Sequence, residues 1–98
     1  MKAGDIVAQA GKLVGGDRAR THGDKVKNHQ NIANVWNGIL AAAGKAGPVP
    51  LDALDVANLM EGLKIARRYA GAFNADDYID GAGYAGVAGE IAASLENA

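Results

Sequence analysis

The densest chemistry in the chain is the run G-G-D-R-A-R-T-H-G-D-K-V-K-N-H, which ends at His29. It sets Arg18, Arg20, Lys25 and Lys27 beside His22, His29, Asp17 and Asp24. A second basic group follows at Lys64, Arg67 and Arg68, and an acidic one at Asp76, Asp77 and Asp80. Guanidinium forks and ammonium groups hold phosphate oxygens through charge-assisted hydrogen bonds. Backbone N–H groups of Gly15, Gly16 and Gly23, close to a helix start, add a setting that accommodates anions. Paired carboxylates would extend this range to a magnesium ion. A phosphate-bearing ligand suits all of these groups. The sequence has no Walker A pattern, no H-E-x-x-H and no nucleophile elbow.

Helices must position these groups, and the apolar spacing predicts an all-α bundle of four. The first runs from about Gly4 to Val14, on Ile6, Val7, Ala10, Leu13 and Val14, and Gly15–Gly16 stops it. Asp24 is placed to cap the second, Lys25 to Ala43, where Ile32, Val35, Trp36, Ile39 and Leu40 keep strict helical spacing. The segment G-K-A-G-P-V-P breaks the chain, and Asp52 caps a third helix carrying Val56, Leu59, Met60 and Leu63. Asn74 caps the fourth, which carries Tyr84, Val87, Ala88, Ile91 and Leu95. That helix also holds Gly81, Gly83, Gly86 and Gly89. Each interior glycine costs about 1 kcal/mol against alanine, so close approach of a neighbouring helix is the expected compensation.

The polar groups continue these apolar stripes. Helical steps back from Ile32 reach His29, Asn28 and Lys25; steps forward from Met60 and Leu63 reach Lys64 and Arg67; steps back from Tyr84 reach Asp80 and Asp77. Short connections make neighbouring helices antiparallel, which would gather all of them, with the Gly16–Asp24 loop, at one end of the bundle. Arg18, Arg20, His22, Lys25, His29, Lys64 and Arg67 are then the expected phosphate ligands, and Tyr84 the surface for a base or ribose. The plainer reading makes Arg67, Asp77 and Asp80 an ion-pair network, and Asp52, Asp55 and Asp76 caps and dipole partners. His29 would then be a satisfied hydrogen-bonding group and His22 a turn residue. Trp36 and Met60 are expected in the core, and Glu61, Arg68 and Glu96 in solvent.

Composition narrows the function classes. The 98 residues make one domain, 1–98, with 14 glycines and only 5% aromatic residues, so self-association into a homo-oligomer is expected to complete a thin core. A net charge of -1 argues against binding to duplex nucleic acid. The absence of cysteine removes disulfides and thiolate metal sites. No basic-then-apolar leader and no membrane-length apolar run occurs, so the expected setting is the cytoplasm, with no membrane partner.

The blocks G-D-R…H-G-D-K…N-H-x-x-I-A-x-x-W, D-V-A-x-L-M-x-x-L-K-I-A-R and D-D-Y-I-D-x-A-G-Y-A together resemble a family of small phage and prophage proteins. Their domain is one of unknown function. The resemblance spans about Ile6 to Glu90 and implies a phage-encoded helical protein of the host cytoplasm. More distantly, D-x-x-D-x-x-G-Y at the last helix is similar to the metal-binding helix of all-α nucleotide pyrophosphohydrolases of MazG type. That similarity implies magnesium on Asp77 and Asp80. The carboxylate pair those enzymes carry on the preceding helix is missing, since K-I-A-R stands there.

Three functions follow as expectations. The first is a binder of a phosphorylated small molecule, a nucleotide above all, that sequesters a host nucleotide signal in evasion of host defence and needs no cofactor. The second is a magnesium-dependent nucleotide pyrophosphohydrolase. The third is a protein-interaction module that inhibits a host factor.

Overall fold

The computed structural model of the chain describes residues 1–15 and 24–96. Those residues form four helices: α1 (Ala3–Gly15), α2 (Lys25–Ala42), α3 (Ala53–Arg68) and α4 (Ala75–Glu96). Local chemistry marks the starts of α2, α3 and α4 and the end of α2. Asp24 caps α2 by accepting from the backbone N–H groups of Val26 and Lys27. Asp52 and Asp55 close a reciprocal capping box at the start of α3. The Asn74 side chain accepts from the Asp76 N–H at 3.0 Å ahead of α4. Behind α2, Gly44 turns left-handed at φ 72°, Lys45 N–H donates to Leu40 and Gly44 N–H to Ala41. That pair of bonds is a Schellman closure, and the positive φ is why glycine stands there.

Helix α4 is the shared wall of the bundle. It packs most extensively on α3, next on α1, and only slightly on α2, which leans on α3 instead. The core is small-residue chemistry: Ala53 and Ala57 of α3 meet Val87, Ala88 and Ile91 of α4, with Val14, Val26 and Leu54 packed at the margin. Ile91 and Val56 are the largest side chains buried completely. Two of the α4 glycines have the expected role. A Cβ on Gly81 would collide with the Arg68 guanidinium, and one on Gly83 would stand 3.3 Å from a Val14 methyl. Gly86 and Gly89 meet nothing within 4 Å, so close approach within the chain explains only half of the set.

The apolar stripes are wider than their burial. On α2 the expected inward stripe is largely open: Val35 and Ile39 are each 61% exposed, Ile32 is exposed, and Trp36 and Leu40 are half-buried. On α3, Val56 is sealed while Leu59 and Leu63 face outward and Met60 is half-buried. Trp36 and Met60 are therefore margin residues rather than core. The reason is geometric, because four short helices rich in alanine and glycine cannot surround every apolar face they carry.

The connection into α3 is held by a side chain. Asn37 of α2 donates from Nδ2 to the Leu51 carbonyl and accepts from the Leu51 N–H at its Oδ1, both at 2.9 Å. One amide thus satisfies both backbone groups of one residue and pins the end of the Pro-Val-Pro segment onto α2.

Candidate functional site

The polar end forms where α3 runs out and α4 begins. Lys64 and Arg67 lie on the last turns of α3, Asp77 and Asp80 on the first turns of α4, and antiparallel packing brings them into register. Lys64 Nζ sits 3.0 Å from Asp80 Oδ2, and Arg67 Nε sits 3.2 Å from Asp77 Oδ1. Asp77 is only 4% exposed, a rare depth for a carboxylate. Its Oδ1 accepts no hydrogen bond, so the Arg67 contact is ionic without being a directed bond. Buried acceptors are nearly always satisfied, which makes this oxygen the least settled atom of the hairpin.

Arg67 itself stays out: its side chain is 56% exposed, and the contact with Asp77 uses Nε. The outer edge of the guanidinium is thereby left toward solvent. Helix α4 also places its positive N-terminal end here.

Arg68 departs from the solvated role its position suggested. It is half-buried, and its Nε and Nη2 both donate to the Asp77 carbonyl at 3.3 Å. Its guanidinium lies 4.6 Å from the Tyr78 ring centroid, a cation–π contact, and crosses α4 over Gly81. Phe73 packs on Tyr78 with ring centroids 5.8 Å apart. Phe73 and Tyr69 are nevertheless wide open to solvent, at 73% and 88%. Sequence reasoning missed this aromatic corner because Tyr69, Phe73 and Tyr78 follow no helical stripe. The signal available was their crowding beside R-R in a chain so poor in aromatics.

The remaining expected ligands do not converge on this corner. Lys25 Nζ pairs with Glu90 at 3.4 Å, and Val26 packs on the α3–α4 core. Glu90 lies ten positions beyond Asp80 on α4, about 15 Å at the helical rise. The start of α2 thus meets the far half of α4, and the expected gathering of every polar group at one end is corrected. His29 is half-buried, and its Nδ1 lies 2.8 Å from the Lys25 carbonyl. A carbonyl only accepts, so Nδ1 is the donor of this contact. Tyr84 is half-buried one helical turn after Asp80. Arg18, Arg20 and His22 lie outside the described residues. Glu61, expected in solvent, is half-buried.

For a metal, the donor set in place is thin. Asp77 and Asp80 each already face a cation, and among the described residues no group of three or more His, Cys, Asp or Glu side chains is arranged to hold an ion.

Four short helices around an ion-paired hairpin define a small all-α domain, with no helix among the described residues long and apolar enough to cross a membrane. The chain belongs to the family of the domain of unknown function DUF6378, which matches residues 5–92. It is similar to the Gene 55 protein of Mycobacterium phage L5, with 40% identity over 82 residues, 84% of this chain and 49% of that protein. The Gene 55 protein of Mycobacterium phage D29 is 35% identical over 81 residues, 83% of this chain and 49% of its own length. The chain therefore spans about half the length of these curated relatives. No solved structure matches it.

Proposed function

We propose that the chain is a phage protein that binds a phosphorylated small molecule, a nucleotide in preference, at the α3–α4 corner. The observation that carries this reading is Arg67, set against a buried carboxylate through Nε with its outer edge toward solvent, next in sequence to Arg68, which lies over the Tyr78 ring. A guanidinium already drawn to one carboxylate loses less freedom on meeting a phosphate than an unpaired one would. Phe73 and Tyr78 offer flat faces on which a base can stack, a contact worth about 1–3 kcal/mol per base. Lys64 is drawn to the same charge, and Tyr84 stands one turn further along α4. Lys25 and His29 belong to a separate region and would contribute to a different part of the ligand. Holding the ligand without turning it over would withdraw a nucleotide signal from the host.

The pyrophosphohydrolase reading has one observation in its favour, the buried Asp77 oxygen without a hydrogen bond. Asp77 and Asp80 would hold magnesium there, which would polarise a phosphoryl oxygen. The paired cations Arg67 and Lys64 compete with that role, so binding without a metal is the stronger reading.

A thermal-shift titration of the whole chain with nucleotides and with inorganic phosphate, each with magnesium and with EDTA, separates the readings. Ligand at 100 times its dissociation constant should stabilise the fold by about 2.7 kcal/mol. Phe73→Ala should weaken nucleotides and leave phosphate unchanged, while Arg67→Gln should weaken both. A ligand returned as the monophosphate only with magnesium would make the protein the enzyme. No shift from any nucleotide would sink the reading and leave the protein-interaction role.

A further inference from the structure

We propose that a second copy of the chain covers the open apolar face of α2 and α3. This inference stands apart from the ligand site, on different residues. The face begins with Ile32, Val35 and Ile39 along α2. It continues through an apolar groove of about 250 Å³ lined by Trp36, Ile39, Leu40, Leu51 and Leu59. Leu63 extends it one turn along α3.

The face is uncovered along its length: Val35 and Ile39 are each 61% exposed, Leu59 49% and Leu63 47%. Contiguous apolar surface of this kind, rimmed by polar residues, marks a protein-interaction face.

Three features select a copy of the same chain as the occupant. First, the face carries both halves of a fit: the Val35–Ile39 ridge stands directly beside the groove it would fill. A two-fold axis places each ridge in the other copy's groove. Second, α2 has no charged residue from Asn28 to Ala42, so two copies meet without like-charge repulsion. Third, the polar residue one turn before Val35 is the amide Asn31, while Gln30 and Asn34 bond each other at 3.0 Å along the helix. An amide both donates and accepts, so it can pair with its own symmetry mate, which a lysine or a glutamate cannot do. The sequence also led to an expectation of self-association, through the thin core of a chain poor in aromatic residues; the open face on α2 and α3 is where this proposal puts it.

Sedimentation equilibrium on the whole chain tests this at micromolar concentration, with far-UV circular dichroism recorded alongside. The wild type should have twice the mass of the single chain or a higher even multiple. Val35→Glu and Ile39→Glu should each reduce it to one chain while helicity is kept, because neither side chain is buried within the chain. If either glutamate variant fails to fold, Val35→Ala and Ile39→Ala replace them. Each should raise the dissociation constant about tenfold or more, since the two-fold counts every truncation twice. A wild type that is a single chain at these concentrations overturns the proposal. So does an assembly whose mass and dissociation constant ignore all four substitutions.

Discussion

The α3–α4 hairpin and the α2 helix carry equally regular apolar stripes, yet they end in opposite environments. On α3 and α4, Val56, Ala57, Val87, Ala88 and Ile91 are buried, and even a carboxylate, Asp77, is taken inside. On α2 only Ala33 is buried, while Val35 and Ile39 stand open. The hairpin is drawn together by small residues, by Gly81 yielding to Arg68, and by ion pairs at its mouth. Less draws α2 inward: Ala33 is buried, Val26 packs at the core margin and Lys25 pairs with Glu90, and its link to the next helix is the polar clasp of Asn37 on Leu51. Periodicity thus reports that a face is made to be covered, and it does not say by what.

The sharpest way to break this contrast is to truncate one residue from each stripe. Ile91→Ala empties a fully buried position and should cost about 3 kcal/mol in a urea titration, a large part of the stability of a domain this small. Val35→Ala, measured where the chain is dilute enough to be single, should change stability by less than about 0.5 kcal/mol. Equal losses at both positions would show α2 to be as deeply packed as the hairpin.

The mouth of the hairpin has an asymmetry of its own. Arg67→Ala strands the buried Asp77 carboxylate and should cost about 2 kcal/mol, whereas Asp77→Asn leaves an arginine that water already reaches and should cost under about 1 kcal/mol. Thermal melts of the two variants decide the order, and the reverse ranking would show Arg67 to be the member that depends on the pair.

The smallest effects distinguish the α4 glycines. Gly81→Ala must push the Arg68 guanidinium aside, so its helix-propensity gain is offset and the net change should be a loss of about 1 kcal/mol. Gly86→Ala meets open space and should raise stability by up to about 1 kcal/mol. A loss at Gly86 would place another surface against it.

Most of the fold was legible in the sequence because caps and breakers act locally. Asp24, Asp52 and Asn74 mark helix starts through hydrogen bonds two or three residues away, and Gly44 marks an end through its own φ. The meeting of Lys64 and Arg67 with Asp80 and Asp77 at one end of the hairpin was legible too, and Arg67 was among the expected ion pairs, because a short connection makes the two helices antiparallel; that Lys64 takes Asp80 as its partner was not. The placement of Lys25 was not, since it depends on how α2 crosses α3, a property of side-chain bulk summed over both helices. Arg68 escaped for a related reason: its partners are a carbonyl, a ring and a glycine, and none of these advertises itself as a partner for a cation.

The clasp of Asn37 on Leu51 has a kinetic consequence. It fixes the rotation of α2 about its own axis through two directed bonds to the neighbouring segment, independent of any apolar packing. The open face is therefore presented at one azimuth before anything docks on it. An incoming surface meets a preset shape, and association can proceed at the roughly 10⁵–10⁷ M⁻¹s⁻¹ of rigid docking instead of waiting for a helix to roll into place. Loosening the clasp, as in Asn37→Ala, would slow that encounter while leaving every docking side chain intact.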